Sequence, residues 1–357
     1  MPPLSPPAKV LVTGANGYVG CWVVHALLDK GYSVRAAVRT QQKADTLSAL
    51  IGAKHPSATS AFKCVVAADI THEDAVDGLL EGVQGVVHTA TPVTFSLEDP
   101  EDYIRPAVVG TLNIVRGAAK HGSDVKRVVI TSSVGAIAES FTADTRVYTE
   151  KDWNEYAVNT VRKLGKEASG YMKYGASKVL AEEAAWDYYR ENKDVLPYEL
   201  SVIAPSWILG PIPDDPPSPA AFATPSPILE WEQLFMVPPP EKSHPPVFNY
   251  VDIRDVTEMH MRALERPEAA GQRFISNSLV CTWQDWFNAA HDLYVLPGLE
   301  KVHPPAALDA ESIPPHPIFS NEKAQRLLGI EFKTIPETLK DLVEDFRGRG
   351  WLKHLES

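Results

Sequence analysis

Tyr174 and Lys178 stand four residues apart in Tyr174-Gly175-Ala176-Ser177-Lys178, inside a stretch whose apolar spacing predicts a helix over 174–190. That spacing is about one helical turn, so the phenol and the ammonium share a face. A tyrosine at its free pKa of about 10 exchanges protons sluggishly at neutral pH. A nearby ammonium favours the phenolate and draws that pKa down, which suits general acid–base work on a carbonyl oxygen. Upstream, Thr131-Ser132-Ser133 closes an apolar run, and a hydroxyl there would bond the same carbonyl and polarise it. Ser133 lies further past the strand end than Ser132 and is the preferred candidate. Tyr171 is a rival phenol, but Gly175 rather than a lysine follows it by four. Alone, a Tyr-x-x-x-Lys spacing more often marks an amphipathic helix with a buried tyrosine and an exposed lysine. A third motif changes that balance.

Near the N-terminus, Thr13-Gly14-Ala15-Asn16-Gly17-Tyr18-Val19-Gly20 links a short apolar strand to a helix-spaced run. A glycine turn in that setting lets the backbone approach a pyrophosphate, which then meets the N–H groups and positive dipole end of the helix. The spacing is G-x-x-G-x-x-G, weak by itself, since glycines also serve plain tight turns. Strand before and helix after point to a dinucleotide. The next strand, Val34-Arg35-Ala36-Ala37-Val38-Arg39, carries no carboxylate at the place where an NAD site binds the ribose diol. Arg39 and Lys43 would instead clamp a 2′-phosphate, one as a fork and one as a point charge. NADPH is therefore the expected cofactor. Asp69-Ile70, after the third strand, is placed to meet the adenine, although an aspartate there also suits a helix cap.

The elements that must position these groups alternate. Strands are expected over 9–13, 33–38, 62–67, 85–88, 127–131 and 200–204, with helices over 18–28, 41–51, 75–80, 106–120 and 174–190. This rhythm predicts an α/β fold, a doubly wound parallel Rossmann sheet covered on both faces. Ligands bind such sheets at the carboxyl ends of the strands. After Pro205 the texture changes: the chain holds 30 prolines, above the usual share of about 5%, and the excess clusters over 205–246. A short helix over 228–236 interrupts that cluster; a strand over 247–251, a helix over 255–264 and a strand over 273–276 follow. The expected organisation is a cofactor-binding domain over 1–204. A smaller α/β lobe over 205–357 would cover the substrate, with some of its segments returning to the first domain.

Composition narrows the partners. A net charge of −12 argues against nucleic acid and anionic membranes, which reward a basic surface. No apolar run reaches the ~18 residues of a membrane span, and Met1 to Lys9 lacks the apolar core of a secretory signal. The expected location is the cytoplasm. Cys21, Cys64 and Cys281 have no short spacing, so neither a disulfide framework nor a metal site is expected. The helices over 106–120 and 174–190 are able to form a dimer contact or to stay covered by the chain's own loops, so both monomer and homodimer stay open.

On these residues the chain resembles the extended short-chain dehydrogenase/reductase superfamily, in particular its dihydroflavonol-reductase-like branch, which includes fungal and yeast NADPH-dependent aldehyde and ketone reductases. The likeness spans essentially the whole chain. It also draws on His88-Thr89-Ala90-Thr91-Pro92, Gly110-Thr111-Leu112-Asn113, Pro205-Ser206-Trp207-Ile208-Leu209-Gly210-Pro211 and Tyr250-Val251-Asp252-Ile253-Arg254-Asp255-Val256. The resemblance implies a catalytic Ser133, Tyr174 and Lys178. It implies cofactor contacts from Gly14, Asn16, Gly17, Tyr18, Val19, Gly20, Arg39, Lys43, Asp69, Ile70, Ala90, Thr91, Pro205 and Ile208, besides Tyr174 and Lys178. It also implies hydride transfer from nicotinamide C4 while Tyr174 protonates the oxygen. Some positions depart from the pattern. Ala107 stands where the superfamily often has an asparagine, Ala138 stands where plant flavonoid reductases read the flavonoid ring, and the Asn-Trp-Tyr-Cys-Tyr pattern of cinnamoyl-CoA reductases is absent before Lys178.

The leading expectation is an NADPH-dependent carbonyl reductase acting on a small-molecule aldehyde or ketone, bulky and hydrophobic: Phe95, Trp207, Trp231, Phe235 and Met236 are the candidate liners, although any single aromatic more often belongs to an ordinary core. Such a substrate would suit secondary metabolism. An alcohol dehydrogenase working oxidatively uses the same residues. A nucleotide-sugar epimerase or dehydratase needs basic groups for a diphosphate, and 212–246 offers only Lys242 and His244. A cofactor-sensing protein without turnover would be expected to have lost Tyr174 or Lys178; both are present.

Overall fold

The computed structural model describes residues 3–91, 93–139, 144–216, 218–221, 225–236, 247–293, 306 and 314–355. Twelve strands occur among them: β1 Lys9–Thr13, β2 Ser33–Val38, β3 Phe62–Val66, β4 Gly85–His88, β5 Arg127–Thr131, β6 Val147–Tyr148, β7 Glu199–Pro205, β8 Trp207–Leu209, β9 Val247–Asp252, β10 Gln272–Ser276, β11 Leu279–Thr282 and β12 Ile318–Phe319. The helices are α1 Tyr18–Asp29, α2 Gln41–Lys54, α3 Glu101–His121, α4 Glu155–Leu164, α5 Gly170–Asn192, α6 Pro225–Leu234, α7 Ile253–Glu265, α8 Trp283–Asp292 and α9 Ile335–Gly348.

Seven strands form one parallel sheet in the order β10-β7-β5-β4-β1-β2-β3. Its central strands are apolar on both faces: Val10, Leu11, Val12, Val86, Val87, Val128 and Val129 are fully buried. Such strands fold only when helices cover both sides. α1 supplies Val23, Val24 and Leu27 to one face together with Met259 and Leu264 of α7, and α3 supplies Ile114, Val115 and Ala118 to the other. A three-stranded sheet, β11-β9-β8, and a two-stranded pair, β12-β6, lie outside it. The smaller sheet packs with α6, α8 and α9 around Trp286, Phe235, Phe346 and Leu342. β10 reads as part of the late chain yet pairs with β7 in the large sheet.

Some boundaries differ from the periodicity. α3 begins at Glu101, with Pro106 inside it, because Glu101 and Asp102 favour the positive end of the helix in its first turn. The helix expected over 75–80 is a single 3₁₀ turn, Glu73–Val76, and Gly78 then takes φ +74°. α4 carried no clear signal; its start is made by Asn154, whose side-chain oxygen accepts from the Ala157 amide at 3.0 Å. The stretch 237–246, with Lys242 and His244, lies outside the described residues, as does Pro92. Among the described residues no helix is long and apolar enough to cross a membrane.

Candidate active site

The carboxyl ends of β1, β4, β5 and β7 open onto one cavity of about 220 Å³. This is where the sheet order reverses about β1 and β4, and where open α/β sheets take their ligands. The glycine turn forms its floor. Gly14 has φ +66°, and a Cβ there would stand 2.9 Å from the Ala90 backbone. A Cβ on Gly20 would stand 2.2 Å from the Gly14 carbonyl oxygen. Neither position admits a side chain, so turn, strand and helix pack backbone on backbone. Gly17 is the N-cap of α1 and no side chain caps the first turn. A backbone-lined cradle against a helix N-terminus fits a dinucleotide pyrophosphate. Tyr18, Val19 and Thr91 line the same cavity, and Asn16 lies half-buried in the turn.

Arg39 and Lys43 are exposed at the end of β2 and the start of α2, where Thr40 caps the helix by accepting from the Lys43 amide at 3.3 Å. Asp45, the first carboxylate downstream, is taken up by the Gln41 amide group at 2.8 Å. Asp69 accepts from the Thr71 amide at 2.9 Å, and that bond holds its carboxyl below the usual range. Ile70 packs on Gly110, where a Cβ would stand 2.9 Å from Ile70 Cδ1, and its carbonyl accepts from Asn113 at 2.9 Å. Arg39, Lys43, Asp69 and Ile70 thus follow the ends of β2 and β3, outside the enclosed cavity.

The structure separates the two serines. Ser132 is buried and its hydroxyl donates to Glu182 at 2.5 Å. Ser133 lines the cavity, accepts from the Gly135 amide at 3.1 Å and hydrogen-bonds the Tyr174 phenol. Tyr174 and Lys178 line the cavity from α5, with Lys178 Nζ 5.6 Å from the Tyr174 ring centre. The electrostatics correct the sequence argument. Burial pushes the Tyr174 phenol up to about 12, opposed by the Ser133 hydrogen bond rather than by Lys178. Burial draws Lys178 down to about 8, with Glu182 pulling the other way. Desolvation outweighs the expected ammonium effect because both groups are enclosed. The phenol therefore keeps its proton at neutral pH, the state needed to give it away.

Phe95, Tyr171 and Trp207 form the outer wall. The Phe95 ring lies 4.4 Å from Tyr171, 5.4 Å from Tyr174 and 6.4 Å from Trp207. A Cβ on Gly170 would stand 1.9 Å from the Phe95 carbonyl oxygen, so the loop carrying Phe95 rests directly on the start of α5. Pro205 and Ile208 also face the cavity. Trp231 and Phe235 do not. They turn into the smaller core, 5.5 Å and 5.3 Å from Phe346, and Trp231 meets Trp351 at 6.1 Å. Their helix is amphipathic, and its apolar side is claimed by α9, which sequence spacing did not indicate. Met236 is exposed.

Val93, Ala138, Glu139, Asn154, Tyr171 and Ser206 line the cavity without having been singled out as site residues. Tyr171 carried a usable signal, one turn before Tyr174 on the same helix. Glu139 and Asn154 carried none, because their approach depends on the turn after β5. A brace joins floor and wall: Tyr18 donates to the Gly210 carbonyl at 2.7 Å, Trp22 to the Pro211 carbonyl at 3.0 Å, and the Gly210 amide to Glu230 at 3.1 Å.

A parallel sheet with this cradle and a serine–tyrosine–lysine set defines the class, and the family model agrees. Residues 10–277 match the NAD dependent epimerase/dehydratase family, and the chain belongs to it. Among its relatives, the NADPH-dependent methylglyoxal reductase of Saccharomyces cerevisiae is 31% identical, over 96% of this chain and 99% of its own length. A cinnamoyl-CoA reductase of Medicago truncatula is 33% identical over 95% of each. The yeast methylglyoxal/isovaleraldehyde reductase, solved in complex with NADPH, superposes with a TM-score of 0.80 at 28% identity, covering 96% of this chain and 99% of that one.

Proposed function

We propose that this chain is an NADPH-dependent carbonyl reductase that converts a bulky, apolar aldehyde or ketone to an alcohol. The observation that carries the reading is the meeting of Ser133, Tyr174 and Lys178 at the wall of a cavity floored by the glycine turn. NADPH, when bound, supplies the hydride. The glycine turn and the first turn of α1 hold the pyrophosphate, and Arg39 and Lys43 hold the 2′-phosphate. Asp69, Ile70 and Ala90 border the adenine side; Thr91, Pro205 and Ile208 border the nicotinamide side. Ser133 donates a hydrogen bond to the substrate oxygen and polarises the carbonyl. Tyr174 gives that oxygen its proton, and its raised pKa keeps the proton available until charge develops there. Lys178 offsets the negative charge left on the phenolate.

Phe95, Tyr171, Trp207 and Val93 exclude water and favour a flat or branched apolar substituent. No arginine lines the cavity among the described residues, which disfavours a nucleotide-sugar diphosphate. The test is NADPH consumption by the purified protein over a panel of aldehydes and bulky ketones, with NADH in parallel. Turnover with NADPH is expected, and Tyr174→Phe lowers kcat by about 10²–10⁴-fold with NADPH affinity retained. NADPH binding without reduction of any carbonyl would overturn the reading.

A further inference from the structure

Behind the cavity, Glu182 lies on α5 one turn beyond Lys178, with its side chain 1% exposed. Both of its oxygens are engaged. Oε1 meets Arg273 Nε at 2.6 Å and accepts from Trp186 at 3.1 Å; Oε2 accepts from Ser132 at 2.5 Å and from the Arg273 guanidinium at 3.2 Å. Arg273 stacks 3.9 Å over the Trp153 ring and donates to the Asp152 carbonyl at 2.6 Å and the Ala136 carbonyl at 3.4 Å. One buried ion pair therefore ties together α5, β10, the residue before Ser133 and the turn after it. A buried pair of this kind adds little stability over apolar packing, so stability alone does not account for it.

We propose that Glu182 is a positioning residue for the reaction: locked by Arg273 and Ser132, it keeps the Lys178 ammonium charged and Ser133 aimed at Tyr174. The inference rests on the reductase reading above. Residues four apart on a helix share a face, so the carboxylate and the ammonium interact through protein rather than water. Burial works against charge on Lys178, and Glu182 opposes it. Among the described residues, Glu182 is the charge that acts on Lys178 against burial. Tyr174 on α5 stays a neutral phenol, and His88 on β4 is held neutral by burial, near 3. Further out, His260 on α7 is neutral too, near 4, and bonded to Thr131 at 2.7 Å. Glu139 lines the cavity from the turn after β5. Arg273 on β10 stands behind Glu182 and would push Lys178 further toward neutrality if left alone.

The sign follows. Loss of the Glu182 charge lowers the pKa of Lys178, so the alkaline limb governed by Lys178 moves to lower pH. The experiment is the pH profile of kcat/KM at saturating NADPH for wild type, Glu182→Gln and Glu182→Asp, with the Lys178 ammonium titrated directly by ¹³Cε NMR. Glu182→Gln is expected to move both the limb and the NMR midpoint acidward by about one pH unit, and Glu182→Asp to restore them. If Glu182→Gln does not fold because Arg273 is left unpaired, the double variant Glu182→Gln/Arg273→Met, which buries no lone charge, takes its place, with a smaller acidward shift because the opposing Arg273 charge leaves with the carboxylate. A limb and midpoint unchanged in a folded variant, whatever the loss of rate, would overturn the proposal and leave Glu182 as packing. A wild type that fails to reduce carbonyls overturns the reductase reading, while the NMR midpoint still decides whether Glu182 governs Lys178.

Discussion

The floor of the cavity and its outer wall are built on different principles. The floor uses backbone: Gly14 and Gly20 sit where any Cβ would strike the main chain. The wall uses side chains from separate stretches, Phe95 from the loop after β4, Tyr171 from α5 and Trp207 from β8. A backbone cradle leaves little freedom of sequence and is legible as a motif. A wall assembled from three stretches is free to vary in residue type.

The largest expected effect breaks the floor. Gly20→Ala places its methyl against the Gly14 carbonyl and should abolish NADPH binding, with Kd raised more than about 100-fold by fluorescence titration, or leave no folded protein. Retained affinity would mean that the turn is not the pyrophosphate cradle. The wall is probed by a pair. Phe235→Ala should cost about 3–5 kcal/mol in denaturant unfolding while leaving the ranking of carbonyl substrates intact, because Phe235 is fully buried in the smaller core. Trp207→Ala should do the reverse, changing KM across the panel by about tenfold with a smaller loss of stability. A changed ranking in Phe235→Ala would return that residue to the pocket.

A smaller effect concerns the outer rim of the floor. Arg39→Ala together with Lys43→Ala should weaken NADPH by about 10–30-fold and leave NADH unchanged, since only NADPH carries the 2′-phosphate. Equal loss for both cofactors would place these cations elsewhere. This rim differs from the turn in being exposed, so its charges act in water and their contribution falls with added salt. A salt titration of the NADPH Kd, flat in the double variant and rising in the wild type, sharpens the same distinction.

Much of the large sheet was legible because its strands are continuous apolar runs and its turns carry glycine. β1 and β2 run over the expected residues. The Tyr-x-x-x-Lys spacing on α5 was legible for the same reason, since helical period alone brings Tyr174 and Lys178 together. Trp231 and Phe235 were misread because amphipathicity states that a face is buried but not against what. Their partners Phe346 and Trp351 are more than a hundred residues further along the chain. The pKa of Tyr174 was misread for a related reason. The sequence shows a neighbouring lysine, whereas desolvation depends on everything that closes over the phenol.

By itself the sequence determined the parallel sheet, the glycine cradle and the phenol–ammonium pair, all of them local patterns with a fixed geometric reading. Tertiary structure alone decided which serine faces the cavity, which aromatics wall it and which way burial moves the phenol and the ammonium. It also decided that Glu182 meets Arg273 across 91 positions of chain. Those outcomes depend on contacts between distant segments, and no local spacing encodes the surroundings that distant segments create.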